Sequence, residues 1–138
     1  MQDYQSCTLL RRFAAIFYDC LLLASVLFFA TLVMIPFTDG NAISSDNIPY
    51  KIYLLSLCYL YFSWQWMYGG QTLGMRIWKI HLQQFNGGTI TWKTVTLRFL
   101  SAIISIMLFG AGFFWSLVDD QKLALHDYCS GSCLVKIN

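Results

Sequence analysis

Residues 13–35, FAAIFYDCLLLASVLFFATLVMI, form an apolar run of 23 residues with one ionisable interruption, Asp19. At ~1.5 Å rise per residue this makes a helix of roughly 34 Å, against about 30 Å of bilayer hydrocarbon. Lipid offers the backbone no hydrogen bonds, so such a segment can enter a membrane only as a helix. Arg11 and Arg12 just before it look like the start of an export leader. Leader cores are shorter, about 7–15 residues, and no A-x-A cleavage site follows here. The run is therefore read as a retained transmembrane helix. Composition agrees, since charged residues make up 12% of the 138, where soluble domains carry about 25%.

Two further apolar runs follow, at 50–68 and 99–118. The expected architecture is an all-α membrane protein of one domain, 1–138, with helices at about 11–35, 50–68 and 94–118. Pro36 closes the first helix, and Gly69-Gly70 close the second, which is crowded with Tyr and Trp as membrane interfaces are. Trp64, Trp66 and Trp115 are read as interface anchors. Gly110-Ala111-Gly112 can bend the third run or turn it back. Ser101, Ser105 and Gly112 fall near one face of it, a stripe suited to close helix packing. In the 69–93 loop, TLGMRIW reads as a short interfacial helix. KIHLQQ-FNGG-TIT reads as a small β-hairpin turning at Asn86-Gly87. The polar tail, 119–138, ends in a weak alternation (Cys133, Val135 and Ile137 against Leu134, Lys136 and Asn138) that hints at a strand.

Charge orients the chain. Arg76, Lys79, Lys93 and Arg98 follow the second run without an acid among them, whereas the 37–49 loop holds Asp39 and Asp46 and no base. The positive-inside rule then places the N-terminus and the 69–93 loop in the cytoplasm. A net charge of +2, with no basic run interleaved with aromatics, argues against a nucleic-acid partner. Cys20 and Cys58 sit within apolar runs, so the five cysteines read as reduced thiols rather than a disulfide framework. No phosphate loop, nucleophile elbow or H-E-x-x-H occurs. His126, Cys129 and Cys133 match no zinc spacing, and nothing near His126-Asp127 is placed as a nucleophile. The expectation is a non-enzyme without metal or cofactor.

Asp19 needs explaining, because a carboxylate inside a span must be paired, neutral or wet. Two readings stand: a polar clasp between helices, or an ion, proton or substrate site. Arg12 lies seven residues earlier on the same face, roughly 10.5 Å away along the axis, too far for a direct pair. Its own readings are an interfacial anchor or a partner for acids on other segments.

These residues resemble the RDD family of small membrane proteins, named for an Arg at the start of the first helix, an Asp within it and a second Asp further on. LLRRFAAIFYDCLLL supplies Arg12 and Asp19. GGQTLGMRIWKI resembles the family's segment after the second span, with Gly70, Thr72, Gly74 and Arg76. WKTVTLRFL supplies Arg98, and the closing block supplies His126, Asp127 and Gly131. Tyr128 and Ser132 depart from the basic residue and the Thr usual there. The resemblance implies a bacterial inner-membrane protein, multi-pass and transport-related, moving an ion or small ligand. Three helices enclose no path, so a homo-oligomer is expected, with Arg12, Asp19, Arg98 and Asp127 as its polar network. The alternative is a non-catalytic adaptor binding a partner membrane protein. The tail's side of the membrane depends on the third run. If that run is straight, Asp127 ends opposite Arg12; if it returns, Asp127 can meet Arg12 or Arg98.

Overall fold

A computed structural model of the protein describes residues 7–120 and 123–136. Lys122, and the Ile137 and Asn138 of the expected terminal strand, lie outside the described residues. The first helix, α1, covers Leu9–Met34, and a 3-10 turn over Ile35–Thr38 follows. Pro36 sits in the first positions of that turn, where its missing N–H and fixed φ are tolerated. Together they make one helix long and apolar enough to cross a membrane, Leu9–Thr38. The second helix, α2, covers Ile48–Gly69 and begins two residues earlier than its apolar run. Asn47 explains the earlier start, since its side chain accepts the Tyr50 N–H at 3.1 Å as an N-cap. At the end distant from Arg12, the Thr31 and Tyr50 hydroxyls bond at 2.7 Å and tie α1 to α2.

Thr72 caps the short helix α3, Leu73–Ile77, and strand β1 follows at Ile80–Gln84. The expected hairpin does not form. The turn at its centre does, with Gly87 N–H donating to the Gln84 carbonyl at 3.0 Å. Beyond it the chain does not return along β1. Thr91 instead caps the next helix, α4, Trp92–Met107, its side chain accepting from the Thr94 N–H. A Thr that serves as an N-cap takes the extended conformation of a strand end without joining a ladder. The vacant edge of β1 is filled by the C-terminal strand β2, Ser132–Lys136, running antiparallel with Leu82 opposite Leu134 and Gln83 opposite Cys133. Ile80 and Leu82 are fully buried on one face of this ribbon, as period-2 alternation requires.

The third apolar run is not one long helix. It breaks after α4 at Phe109 and Gly110, both in the left-handed region at φ 57 and 76. A short helix, α5, covers Ala111–Val118, and a last one, α6, Leu125–Ser130. α4 and α5 pack against each other as a helical hairpin, and α6 packs on α4. Ser105 and Gly112 do meet, but across this hairpin rather than along one helix face. A Cβ at residue 112 would overlap the Ser105 side chain. Ser101 turns back on its own helix, donating to the Leu97 carbonyl at 2.6 Å.

Packing between α2 and α4 is aromatic. Phe62 stacks on Trp66 at 5.4 Å, Tyr59 meets Phe99 edge-on at 5.3 Å, and the Tyr59 and Thr96 hydroxyls bond at 2.8 Å. Trp66 is buried here, so it is a packing residue and not an interface anchor, whereas Trp64 and Trp115 are exposed. All five cysteines are free thiols. The Ser105–Gly112 contact gives a direct test. Gly112→Ala should lower detergent-solubilised stability by about 1–3 kcal/mol through overpacking, and adding Ser105→Gly should restore most of the loss in a thermal melt.

Candidate functional site

Arg12 lies in the first turn of α1, Arg98 in the second turn of α4, and Asp127 is the third residue of α6. The return of the chain through α5 brings the three together. Asp127 Oδ2 accepts from Arg12 Nη1 at 2.8 Å, and Oδ1 accepts from Arg98 Nη1 at 2.6 Å. Oδ2 also accepts the backbone N–H of Ala124 at 3.0 Å, so the same carboxylate caps α6. Asp127 is 0% exposed, Arg12 2% and Arg98 4%. Two guanidiniums therefore share one carboxylate away from water, where each charge–charge contact is far stronger than at a surface.

Neighbouring groups complete the cluster. Arg98 Nη1 also donates to Ser132 Oγ at 3.2 Å, and the Ser130 and Ser132 hydroxyls bond at 2.7 Å. The Arg98 guanidinium lies 5.5 Å from the centre of the Trp66 ring, within cation–π range. His126 Nε2 is 3.6 Å from Asp127 Oδ1. Burial, reinforced by Arg98, lowers the His126 pKa from its ordinary 6.5 to about 3, so the imidazole is neutral at physiological pH. For Asp127 burial works upward, but Arg98 and Arg12 and the Ala124 N–H prevail, and its pKa falls to about 2.

Asp19 stands apart from this cluster and bonds to the segment after α2. Its Oδ1 accepts the Gly74 N–H at 2.9 Å, and its Oδ2 accepts from the Thr72 hydroxyl. Thr72 Oγ1 in turn accepts the Met75 N–H at 3.2 Å, so Asp19 and Thr72 together satisfy the start of α3. Gly74 permits the approach. A Cβ there would overlap the Ala15 carbonyl oxygen and sit 2.9 Å from Asp19 Cγ. Both donors to Asp19 are neutral, and among the described residues no Lys or Arg lies within ion-pair distance of it.

The other motif positions serve the backbone. Gly70 ends α2 at φ 60, and a side chain there would strike the His81 ring. Gly131 ends α6 at φ 64, and its carbonyl accepts the Phe85 N–H at 3.1 Å just past β1. Arg76 is exposed in the last turn of α3. Sequence reasoning missed Trp66 and Ser132 as partners of Arg98. The departure noted at position 132 was the available signal for one of them; Trp66 carries no local signal of this role. A groove of about 600 Å³, lined by Trp66, Tyr68, Gly70, His81, Gln83 and Ile90 among others, opens between the end of α2 and β1. Among the described residues no cluster of three or more His, Cys, Asp or Glu is placed to hold a metal ion.

The arrangement thus places an Arg at the start of the first helix, an Asp within it and a second Asp that closes on that Arg. Residues 7–131 match the sequence model of the RDD family. The chain belongs to the RDD family. Comparison with curated proteins and with solved structures gave no match. In this RDD protein Ser132 lies one residue past the matched region, and its hydroxyl accepts from Arg98 as a Thr hydroxyl would. The other departure, Tyr128, donates its hydroxyl to both Asp119 oxygens at 2.9 Å and fastens the end of α5 to α6.

Two tests follow from the RDD cluster. Asp127→Asn leaves two buried guanidiniums without a counter-charge and should cost about 3–5 kcal/mol. The triple variant Arg12→Met, Arg98→Met, Asp127→Leu should melt well above Asp127→Asn in the same detergent, because it removes charges and desolvation together. The second test concerns pH. Above 6.5 His126 is neutral both folded and unfolded. Between 6.5 and about 3 the unfolded chain takes up a proton that the fold refuses, so stability falls as pH falls through this window. His126→Gln should flatten the melting temperature from pH 6.5 to 4. The Asp127 contribution is complete above its ordinary 3.8 and is lost toward about 2, so a decline should remain there.

Proposed function

We propose that this chain is a multi-pass inner-membrane protein, with its N-terminus in the cytoplasm, that serves transport of an ion or small ligand as a homo-oligomer. The observation that carries this reading is Asp19. It is an ionisable residue within a helix long enough to cross a bilayer, it is 4% exposed, and among the described residues its donors are neutral. Intramembrane carboxylates of this kind are costly to keep and mark ion or proton pathways. Because Asp19 holds Thr72 and Gly74, taking up a proton or cation would loosen the start of α3 from α1. Occupancy would then be coupled to the position of the cytoplasmic segment. Arg12, Arg98 and Asp127 act in this scheme as the fixed frame against which α3 moves. The chemistry needs no covalent step, metal or cofactor.

A non-catalytic adaptor is the second reading, favoured by the tight fastening of Arg12, Asp19, Arg98 and Asp127 at 0–4% exposure. A frame so closed suits a scaffold whose apolar outer faces dock another membrane protein. Flux separates the two. The purified protein in proteoliposomes should carry a proton- or cation-coupled flux, and Asp19→Asn should reduce it at least about tenfold while eluting as wild type from a sizing column. Full flux in Asp19→Asn would sink the transport reading. No flux from the wild type, with a larger membrane partner co-purifying stoichiometrically, would favour the adaptor.

A further inference from the structure

Asp19 and Gly74 seat α3 flush against α1, and this fixes what the outer side of α3 presents. Arg11 Nη1 reaches the Trp78 carbonyl, the first position after α3, at 3.5 Å. Lys79 N–H closes on the Arg76 carbonyl at 3.3 Å, so Arg76 and Lys79 belong to the same turn. Arg11 thus meets the turn that carries Arg76 and Lys79, so three cations belong to the C-terminal end of α3. Among the described residues none of them has a carboxylate within ion-pair distance. The sequence contains no acid from residue 69 to 98 that could supply one. Among the described residues no acid neutralises this cluster, which leaves it open to an anion from outside the chain.

The surroundings say what kind. Leu73, Ile77 and Trp78 on the same segment are exposed, which is unfavourable for a patch meant only for water. On α1, Ala14 and Tyr18 continue the face of Arg11 at i+3 and i+7 into the membrane-crossing stretch, with Tyr18 and Leu21 exposed there. The patch therefore has cations at one level and an apolar track leading from them along a membrane helix. That gradient matches one lipid molecule, with phosphate at the cations, Trp78 at the headgroup boundary and acyl chains on the track. A soluble acidic protein would match the cations but not the track. We propose that Arg11, Arg76, Lys79 and Trp78 form a binding site for the headgroup of an anionic phospholipid. This site rests only on the membrane placement of α1 and is independent of the transport reading.

The full chain reconstituted in phosphatidylcholine bilayers offers a test with spin-labelled lipids. Spin-labelled phosphatidylglycerol should show a motionally restricted component about fivefold stronger in association than spin-labelled phosphatidylcholine. The preference should shrink as NaCl rises from 50 to 500 mM. It should fall to the phosphatidylcholine level in Arg11→Gln, Arg76→Gln, Lys79→Gln and persist in Lys93→Gln. Equal association of the two lipids with the wild type overturns the proposal. So does a preference that survives in the triple variant or is indifferent to salt. Should the triple variant fail to fold, the salt dependence of the wild type still decides. Loss of preference only upon addition of a soluble acidic polypeptide, poly-glutamate, would show that the cations fit a soluble anion equally well and would also overturn it.

Discussion

Asp127 holds two arginines from two different helices, and the course of the chain follows from that. Arg12 is fixed at the start of α1, so Asp127 must come to the same end of the molecule. A third apolar run that crossed without turning would carry it away. The break at Phe109 and Gly110, both at positive φ, allows the return, and the ion pairs stabilise it once made. Buried ion pairs are weak contributors to net stability, because desolvation offsets much of the attraction. Their effect here is on arrangement. Apolar helix faces in a bilayer gain little from touching each other rather than lipid, so polar contacts and close small-residue approaches set which faces meet.

The same logic explains the ribbon. β1 presents Ile80 and Leu82 inward and needs a partner along its edge. The local candidate, the Thr89–Thr91 segment, ends in Thr91, which caps α4 instead. Once Asp127 is docked, α6 ends at Gly131 and the next residues lie alongside β1. Ser132 begins the strand and at the same time accepts from Arg98, so one residue joins sheet and charge cluster. A second polar contact, Asp19 with Thr72 and Gly74, holds the start of α3 on α1. α6 and α3 are thus tied to α1 at two levels, by a charged contact near its start and by a neutral-donor contact two turns on.

Much of this was legible in the order of residues, because the signals were local. The length of the first apolar run is a property of consecutive positions, and so is the stop at Pro36. Gly70 announces a helix end because glycine enters the left-handed region without strain. The RDD pattern itself picked out Arg12, Asp19, Arg98 and Asp127. Less legible was the hairpin, while for the third run the sequence left a straight crossing and a turn back at Gly110-Ala111-Gly112 both open, and the chain breaks there. The turn at Asn86-Gly87 formed as expected, yet a turn signal says nothing about which strand will use the edge it creates.

By itself, then, the sequence determined the length and apolar character that suit α1 to a membrane, the ends of the first two helices, and the few charged residues that had to find partners inside an apolar molecule. Partner choice belonged to the tertiary structure. Arg12 and Asp127 are 115 positions apart, and Asp19 and Gly74 are 55. An apolar medium demands that each charge be compensated but does not say by which residue. That depends on where the chain path has already placed every other polar group, and it is settled only when the whole fold closes.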